Sequence, residues 1–589
     1  MKKTLYFSLA ASLLAGSVMT SCSDILEADN KTSGGQTSES FFSANPSALL
    51  YSAFAGMRPI VNQVPIFDEG TDLYMNTRGG SPSEFGDYSI SVTSNTVKSL
   101  YVNCYGVIKF ANGCLKYASP GGHEEMDAVF IRNLAYYYLT QHFGAVPYVT
   151  EYIESADCMN PRTNLNELYD SMIAELSAYY TKCPTILSGH DGHASKQAFA
   201  ALLAKVCLAA GWDTKVTMNS DVNGTYSVSD TDYFTQAATW ANRAVEGITL
   251  YDNFNDKWLP ANEANNKEEI FSIMYERTAD PSGTGATDNT LCFTYGGYPT
   301  GTDASGLKYC NSQFQQNEKS IYLFEKGDTR YEGTFMTTFY DGSSLADGYM
   351  AYYNGAKPDS HKINARWFPA YMTVAECEAE LKAHLAQYEG LNSANTFKAT
   401  LLQAPNVTNW TIKNGALQKA TQTFTAYHTQ TNNGTLVKKF DDPESQYNDQ
   451  CYRNIVIFHA SDIILVAAEA NLMANNRDEF WNKINQIRNR AGLASIKDIK
   501  DYNPLYTTPS DFGAITELDL LLDERARELY AERTRWEDLR RTKQLVRYNK
   551  AFNSANVPNV SVIKWLRPIP AMEIEYNEAI TQADQNPGY

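Results

Sequence analysis

Long apolar segments are almost absent from this sequence of 589 residues. A helix that crosses a bilayer needs about 20 consecutive, mostly apolar residues, and no stretch beyond residue 18 approaches that length. The exception, Leu5 to Val18, is 14 residues long and follows Lys2 and Lys3. A run of this length behind basic residues predicts a secretory signal peptide over residues 1–21 and not a membrane span.

Basic residues are in deficit, with 49 Lys and Arg against 67 Asp and Glu and a net charge of -18. A chain this acidic repels a phosphate backbone and does not release its counterions, so nucleic acid is excluded as a partner. Hydrophobic residues make up 43% of the chain, which is enough to build a large core. The sequence therefore predicts a globular protein.

Clustered cysteines and complete metal-binding motifs are also missing. The nine cysteines after Cys22 include no Cys-x-x-Cys pair, and Cys104 and Cys114 would lie about 15 Å apart on one predicted helix. We expect scattered buried thiols and not a disulfide framework. His190 and His193 form a His-x-x-His motif with no predicted third ligand, so neither a metal nor another cofactor is expected.

The end of the signal segment resembles a bacterial lipobox, because Met19, Thr20 and Ser21 directly precede Cys22. In lipoproteins with this motif, the cysteine thiol receives a diacylglyceryl group and the amine freed by cleavage receives a further acyl chain such as palmitate. The resemblance implies that Cys22 is lipidated; a plain secretory signal followed by a chance cysteine is the alternative. Residues 22–39 would then be a lipid-anchored flexible tether with a reach of about 20 to 25 Å.

Apolar residues recur at helical spacing in two parts of the chain, about 40–278 and 451–589. The segments that this spacing predicts as helices are Glu125 to His142, a helix capped by Asn164, Ser195 to Gly211, Tyr233 to Gly247, Ser461 to Met473 and Glu479 to Arg490. Alanine-rich helix pairs that recur in this way indicate a tetratricopeptide-like scaffold. The sequence therefore predicts a mainly α fold.

The central part, about residues 279–450, is richer in Gly, Ser, Thr, Asn and aromatic residues and has few helical stripes. Phe335 to Tyr340 and Leu436 to Phe440 could form short strands, but their alternation is brief. We expect this part to be a loop-rich insertion that lies over the helical scaffold and faces a ligand, since recognition usually resides in loops on a rigid frame.

A dense pattern of charged residues follows Thr516. Leu522, Leu529 and Trp536 recur every seven residues, which predicts one long helix whose apolar seam docks on the scaffold. Acidic and basic residues along it are spaced by three or four positions, so we expect them to pair with one another. This spacing favours a structural role for the charges over a catalytic one.

The C-terminal part resembles the SusD/RagB family of starch-utilisation-type outer-membrane lipoproteins. Its family-like motifs are Arg-Trp-Glu-Asp-Leu-Arg-Arg at 535–541, Leu-Arg-Pro-Ile-Pro at 566–570 and the closing Gln-Asn-Pro-Gly-Tyr at 585–589. Further similarity covers nearly the whole mature chain: Leu100 to Leu115, Phe130 to Pro147, Ala200 to Trp212 and Ser461 to Leu493. The resemblance implies a single SusD-like domain over residues 40–589.

The resemblance also implies a function. Members of this family are exposed at the cell surface, anchored in the outer membrane by lipid, and associated with a TonB-dependent SusC-like β-barrel transporter. They capture nutrients, most often oligosaccharides, for import and are not enzymes. Two other classes stay open from the residues alone, namely a glycan-active hydrolase and a helical scaffold without a small-molecule ligand.

Aromatic residues in the polar loops are the candidate ligand-binding residues, because a sugar offers C–H faces to a ring and hydroxyls to polar groups. The candidates are Tyr74, Tyr88, Tyr295, Tyr298 and Trp367. For each of them the competing interpretation is an aromatic side chain that packs its own loop.

Overall fold

The structure is a computed structural model. It describes residues 38–589 except 77–82, 155–158, 186–191, 220–224, 277–288, 296–312, 341–362, 389–397, 414, 429–434, 443–450, 554–558 and 562–563. The signal segment, Cys22 and most of the predicted tether lie outside the described residues.

The first half of the described chain is mainly helical. Its helices are α1 (Ser38–Ala44), α2 (Pro46–Val61), α3 (Pro65–Asp68), α4 (Asn95–Tyr117), α5 (His123–Phe143), α6 (Leu165–Tyr180), α7 (Lys196–Lys215) and α8 (Asp232–Ala244). Side chains cap several of them: the Ser94 hydroxyl accepts from Val97 N at the start of α4, and Ser195 accepts from Ala198 N at the start of α7. α5 ends at Gly144, whose positive φ of 72° closes the last turn.

The remaining described helices lie in the central and C-terminal parts. They are α9 (Leu291–Tyr295), α10 (Glu318–Ile321), α11 (Arg330–Thr334), α12 (Val374–Ala383), α13 (Leu385–Tyr388), α14 (Phe424–His428), α15 (Ala460–Met473), α16 (Arg477–Arg490), α17 (Glu517–Glu528), α18 (Arg535–Arg541), α19 (Leu545–Phe552) and α20 (Ala571–Tyr576).

The predicted helix pairs are confirmed. The six segments predicted as helices correspond to α5, α6, α7, α8, α15 and α16, with ends that shift by a few residues. α7 packs against α6 and α8, α4 against α2 and α5, and α15 against α8 and α16. Gly211 permits the close crossing of α7 and α8, because a Cβ atom there would lie 2.6 Å from the Phe234 ring.

The central part contains more sheet than the sequence predicted. Five of its strands form one sheet in the order β11 (Ala416–Thr423), β10 (Asn406–Lys413), β9 (Lys398–Leu401), β8 (Ile363–Phe368) and β7 (Thr338–Tyr340). β8 and β9 are parallel and the other neighbours are antiparallel. Trp410 is fully buried in a small core that includes Cys377 and Leu381 of α12. The interpretation of this part as loops missed the sheet.

The other strands form two-stranded pairs. They are β1 (Tyr74–Asn76) with β5 (Phe314–Gln316), β2 (Val216–Met218) with β3 (Tyr226–Val228), β4 (Glu269–Ile273) with β13 (Ile455–His459), and β6 (Phe335–Met336) with β12 (Leu436–Val437). The two suggested strands of the central part are thus present, the first split into β6 and β7 and the second shortened to β12.

The prediction of one long helix after Thr516 is wrong. The chain forms α17, α18 and α19, separated by turns in which Ala531, Arg533 and Lys543 have φ values of 66°, 60° and 63°. Distant parts of the chain hold the backbone of the first turn, because Ala531 N donates to the Tyr74 hydroxyl at 2.7 Å and the Arg533 guanidinium donates to the Val61 carbonyl. These tertiary contacts outweigh the helical periodicity of the sequence.

The charged residues of this segment are buried and paired, but mostly with distant partners. Helical spacing of three residues accounts for two ion pairs, Arg527 with Glu524 and Arg541 with Asp538. The other carboxylates and guanidinium groups join different elements, as in Arg330 to Glu524 at 2.9 Å, Arg490 to Glu528 at 2.5 Å, Arg540 to Asp213 at 3.0 Å and Arg541 to Glu469 at 2.8 Å. The segment therefore acts as an internal clamp between α7, α15, α16 and α11.

The cysteine prediction is confirmed for the described residues. Cys104, Cys114, Cys183, Cys207, Cys292, Cys377 and Cys451 are buried, and none of these seven forms a disulfide with another. Among the described helices, none is long and apolar enough to cross a membrane.

Candidate functional site

Tyr74 and Tyr295, two of the predicted ligand residues, lie in one buried aromatic cluster. The Tyr74 ring on β1 is 5.9 Å from the Tyr295 ring and 5.0 Å from the Tyr530 ring. The Tyr295 hydroxyl donates to the buried Asp68 carboxylate. Burial raises the pKa of Asp68 to about 6, although the hydrogen bond from Tyr295 lowers it in part. The cluster ties β1, α3, α9 and the turn after α17 together and leaves no ring face for a ligand.

Tyr88 and Trp367 are buried as well. The Tyr88 hydroxyl donates to the Gly70 carbonyl at 2.8 Å, and the Trp367 indole N–H donates to the Tyr427 hydroxyl at 3.2 Å. Their exposed fractions are 0% and 4%. Tyr298 lies outside the described residues. The four described candidates therefore pack inside the protein, and the structure argues against their direct contact with a ligand.

His193, the described member of the His-x-x-His motif, contacts a carboxylate. Its Nδ1 lies 2.5 Å from Oδ2 of Asp127, while Oδ1 of Asp127 accepts from Ala194 N. His190 is outside the described residues. Within the described parts of the chain, no group of three or more His, Cys, Asp or Glu side chains is placed to hold a metal ion.

A surface cavity lies between three segments of the described chain that are far apart in sequence. Its volume is about 310 Å³, at the lower end of the range for small-molecule sites. One wall is α4, the second is the extended chain after α5, and the third is α20 with the residue that follows it. Two smaller spaces, of about 20 and 30 Å³, have room for no more than a few water molecules.

The α4 wall is one face of that helix. Tyr105, Ile108, Lys109 and Asn112 line the cavity, and their spacing of three and four residues places them on one stripe. From Tyr105 to Asn112 the helix rises about 10 Å, or two turns. These residues therefore line the cavity over about two turns of α4.

Hydrogen bonds fix the second wall to α4. The Tyr105 hydroxyl donates to the Pro147 carbonyl at 2.8 Å. The Asn112 amide donates to the carbonyls of Val149 and Glu151, at 3.0 and 3.1 Å. These bonds hold the extended segment against α4, and Pro147, Val149 and Ile153 give this wall an apolar surface.

The third wall carries a carboxyl group and an amide. The Asn577 Nδ2 donates to Oε1 of Glu573 at 2.8 Å and to the Asn160 carbonyl at 2.9 Å. Burial raises the pKa of Glu573 above its ordinary value, while its hydrogen bond with Asn577 acts in the opposite direction. The cavity thus combines apolar walls with a carboxyl group, amides and the exposed, charged side chains of Lys109 and Glu151.

None of these residues was among the sequence candidates. Tyr105 and Asn112 fall in the helix that was predicted around Cys104 and Cys114, and Glu573 and Asn577 are more than 460 residues away from them in the chain. The available signal for a site was the mixed polar and apolar face of this helix. Such a face is common on surface helices, so it does not identify a binding site.

Comparisons with known proteins agree over most of the chain. The family model described as the SusD family matches residues 204–589, and a model described as "Starch-binding associating with outer membrane" matches residues 57–208. The SusD-like protein P2 of Formosa agariphila is 21% identical over 600 residues, covering 97% of each chain.

Solved structures share the fold. A SusD homolog from Bacteroides thetaiotaomicron has a TM-score of 0.63 and 18% identity over 93% of this chain and 97% of its own. A laminarin-binding SusD-like protein has a TM-score of 0.57 and 19% identity over 93% of this chain and 99% of its own. The mainly α fold is therefore the SusD-like fold. Because the SusD model spans well over half of the sequence, the chain belongs to the SusD/RagB family.

Proposed function

We propose that this protein binds nutrient oligosaccharides at the cell surface and delivers them to a TonB-dependent SusC-like transporter, without acting on them chemically. The observation that carries this proposal is the match of the SusD family model to residues 204–589. The second model, which matches residues 57–208, has a description that names starch binding and the outer membrane. A structural neighbour is named as binding laminarin, a polysaccharide.

The cavity between α4, the segment after α5 and α20 is compatible with this proposal. A saccharide offers apolar C–H faces and a rim of hydroxyl groups, and the cavity offers apolar side chains together with amides and carboxyl groups. Nothing in this role requires the protein to supply a nucleophile, a metal or a cofactor.

Attachment to the outer membrane is proposed to occur through acyl chains on Cys22. Each buried CH₂ group contributes about 0.8 kcal/mol, so two or three chains hold a protein at a bilayer without a membrane-spanning helix. The tether over residues 22–39 would let the SusD-like domain move above the membrane while it stays close to its transporter.

Affinity electrophoresis of the mature chain in gels that contain starch, laminarin or xyloglucan tests the binding function. We expect retarded migration in at least one gel and no shortening of the corresponding oligosaccharides after prolonged incubation, measured by chromatography of the products. Time-dependent shortening would favour the hydrolase alternative. Unchanged migration in a broad polysaccharide panel would favour a scaffold without a sugar ligand.

The transporter partnership needs a separate measurement. Purification of the lipidated protein from outer membranes in mild detergent should recover a SusC-like β-barrel protein in a fixed ratio. Recovery of the lipoprotein alone, under conditions that preserve other outer-membrane complexes, would contradict the partnership and leave the sugar-binding proposal standing.

A further inference from the structure

Two large, strongly exposed hydrophobic residues directly precede cavity-lining residues in the sequence. Among the described residues, Tyr576 is 77% exposed and Met159 is 59% exposed, and both belong to a short set of large hydrophobic side chains that face solvent. Tyr576 directly precedes the lining residue Asn577 and lies three positions after Glu573 on α20, so the Tyr576 and Glu573 side chains are neighbours on that helix.

A hydrogen bond between Asn577 and Asn160 holds the chain next to Met159 beside α20. Met159 directly precedes Asn160, whose carbonyl accepts the Asn577 amide at 2.9 Å. This hydrogen bond brings the segment that contains Met159 to the residue that follows α20. Exposed rings and thioethers add little to folding stability, whereas beside a concave site they can contact a ligand.

We infer that this cavity is an oligosaccharide-binding site that takes two or more linked sugar rings, with one ring stacked on Tyr576. The inference rests on the proposed sugar-binding function and adds the site and the minimum length of the ligand. The minimum length follows from the lining, because the lining residues from Tyr105 to Asn112 span about 10 Å along α4, which is longer than one sugar ring.

The lining matches the two kinds of surface on such a chain. Val149 and Ile153 line the cavity and provide apolar contacts for ring C–H groups. Tyr576, which is exposed at the end of α20 directly before the lining residue Asn577, offers a flat aromatic face. The Glu573 carboxyl group and the exposed Glu151 can accept hydrogen bonds from hydroxyl groups, and Lys109 can donate to ring or hydroxyl oxygens.

The walls are also held in place before a ligand arrives. Tyr105 and Asn112 bond to backbone carbonyls of the second wall, and Asn577 bonds to both Glu573 and the chain at Asn160. A site whose polar groups are already fixed loses less conformational entropy on binding. This pre-organisation distinguishes the cavity from a chance gap between surface side chains.

Isothermal titration of the mature chain tests the inference, with glucose and with the di- to hexasaccharides of starch, laminarin and xyloglucan as probes. We expect disaccharides or longer chains of one series to bind, and glucose to bind far more weakly. Tyr576→Ala should weaken binding by about tenfold or more, as loss of one stacking contact implies, while Tyr576→Phe should keep most of the affinity because the ring remains.

Tyr51→Ala is the matched control, since Tyr51 is 68% exposed and does not line the cavity. It should bind like the wild-type protein. Because both tyrosines are exposed, circular dichroism should find both alanine variants folded. Glu151→Gln gives a second readout from another wall and should also weaken binding.

The outcomes separate the two proposals. If the wild-type protein binds a saccharide series and both Tyr576→Ala and Glu151→Gln bind it equally well, the cavity is not the site, although the sugar-binding function holds. If the wild-type protein binds none of the three series, the cavity inference is overturned together with the sugar-binding function for these glycans.

Discussion

Replacing Asp72 by asparagine should destabilise the protein strongly. The Asp72 carboxylate is fully buried and accepts two hydrogen bonds of 2.7 Å from the Arg535 guanidinium and one of 2.6 Å from the Lys319 ammonium. Burial alone would raise the pKa of Asp72, but Arg535 and Lys319 hold it well below its usual range. Asparagine has nearly the same size, so the substitution removes the charge and opens no cavity.

The expected loss of stability follows from the partners that Lys319 and Arg535 keep in the variant. Lys319 keeps one carboxylate, Asp523 at 2.9 Å, and Arg535 keeps the Leu522 carbonyl at 2.7 Å, so two buried cations lose the negative charge that they share. Removal of one partner from a buried ion pair costs about 3 to 5 kcal/mol. We expect a decrease of this size in the free energy of unfolding, measured by urea denaturation at pH 7.

An exposed ion pair provides the control. Lys326 lies 3.1 Å from Glu376, and their side chains are 77% and 44% exposed. Lys326→Ala should therefore change the free energy of unfolding by no more than about 1 kcal/mol. If Asp72→Asn cost no more than Lys326→Ala, the view that the buried charges clamp the fold would be refuted.

The pH dependence gives a second check on Asp72. A carboxyl group whose pKa is lowered by folding adds stability above its unfolded pKa of about 3.9, and that stability is lost as the pH falls through the lower folded pKa. The difference between the wild-type protein and Asp72→Asn should therefore shrink only below about pH 4.

Three other substitutions test the buried Asp68, the crossing of α7 and α8, and the lipid anchor. Burial raises the pKa of Asp68 to about 6, so the wild-type protein should lose stability relative to Asp68→Asn as the pH rises from about 4 to 6; parallel profiles in urea titrations would contradict this. Gly211→Ala should cost about 1 to 3 kcal/mol in the same assay, because its Cβ would meet the Phe234 ring, whereas Gly106→Ala, with open space at that position, should not destabilise. Cys22→Ala should leave the protein unlipidated and in the soluble fraction, and its presence in membranes that lack the transporter would contradict the anchor.

The helical scaffold could be predicted from the sequence because its signals are local. Apolar spacing and caps such as Ser195 define each helix within a few turns, and the helix pairs follow from short connections. The turn at Ala531 and Arg533 could not be predicted in this way. Its backbone is set by Tyr74 and Val61, more than 450 residues away, and helix propensity is weak against such tertiary contacts.

The burial of the four described aromatic candidates could not be predicted for a related reason. A tyrosine in a polar, glycine-rich sequence has an apolar ring that must be either buried or left for a ligand, and composition does not distinguish the two. Tyr295 is buried because Asp68, which is 227 positions earlier, accepts its hydroxyl hydrogen. Trp367 is buried because α14, which follows the last strand of the sheet that the sequence did not reveal, packs Tyr427 against it.

The cavity between α4, the segment after α5 and α20 depends on contacts between residues more than 400 positions apart in the chain. Its walls come from positions near 105–112, 147–160 and 573–577, and the third wall reaches the first two because the C-terminal chain packs beside α5. Arg567 N donates to the His142 carbonyl at 2.7 Å, and the Asn586 amide donates to the Phe143 carbonyl at 2.9 Å. The family-like C-terminal motifs thus have a structural role, since they bring α20 to the cavity.

A substitution such as Asn586→Ala should therefore weaken saccharide binding although Asn586 does not contact the ligand, and Tyr576→Ala should add little to the loss of affinity once α20 is displaced. Additive losses in the double variant would indicate that the C-terminal contacts do not position this wall.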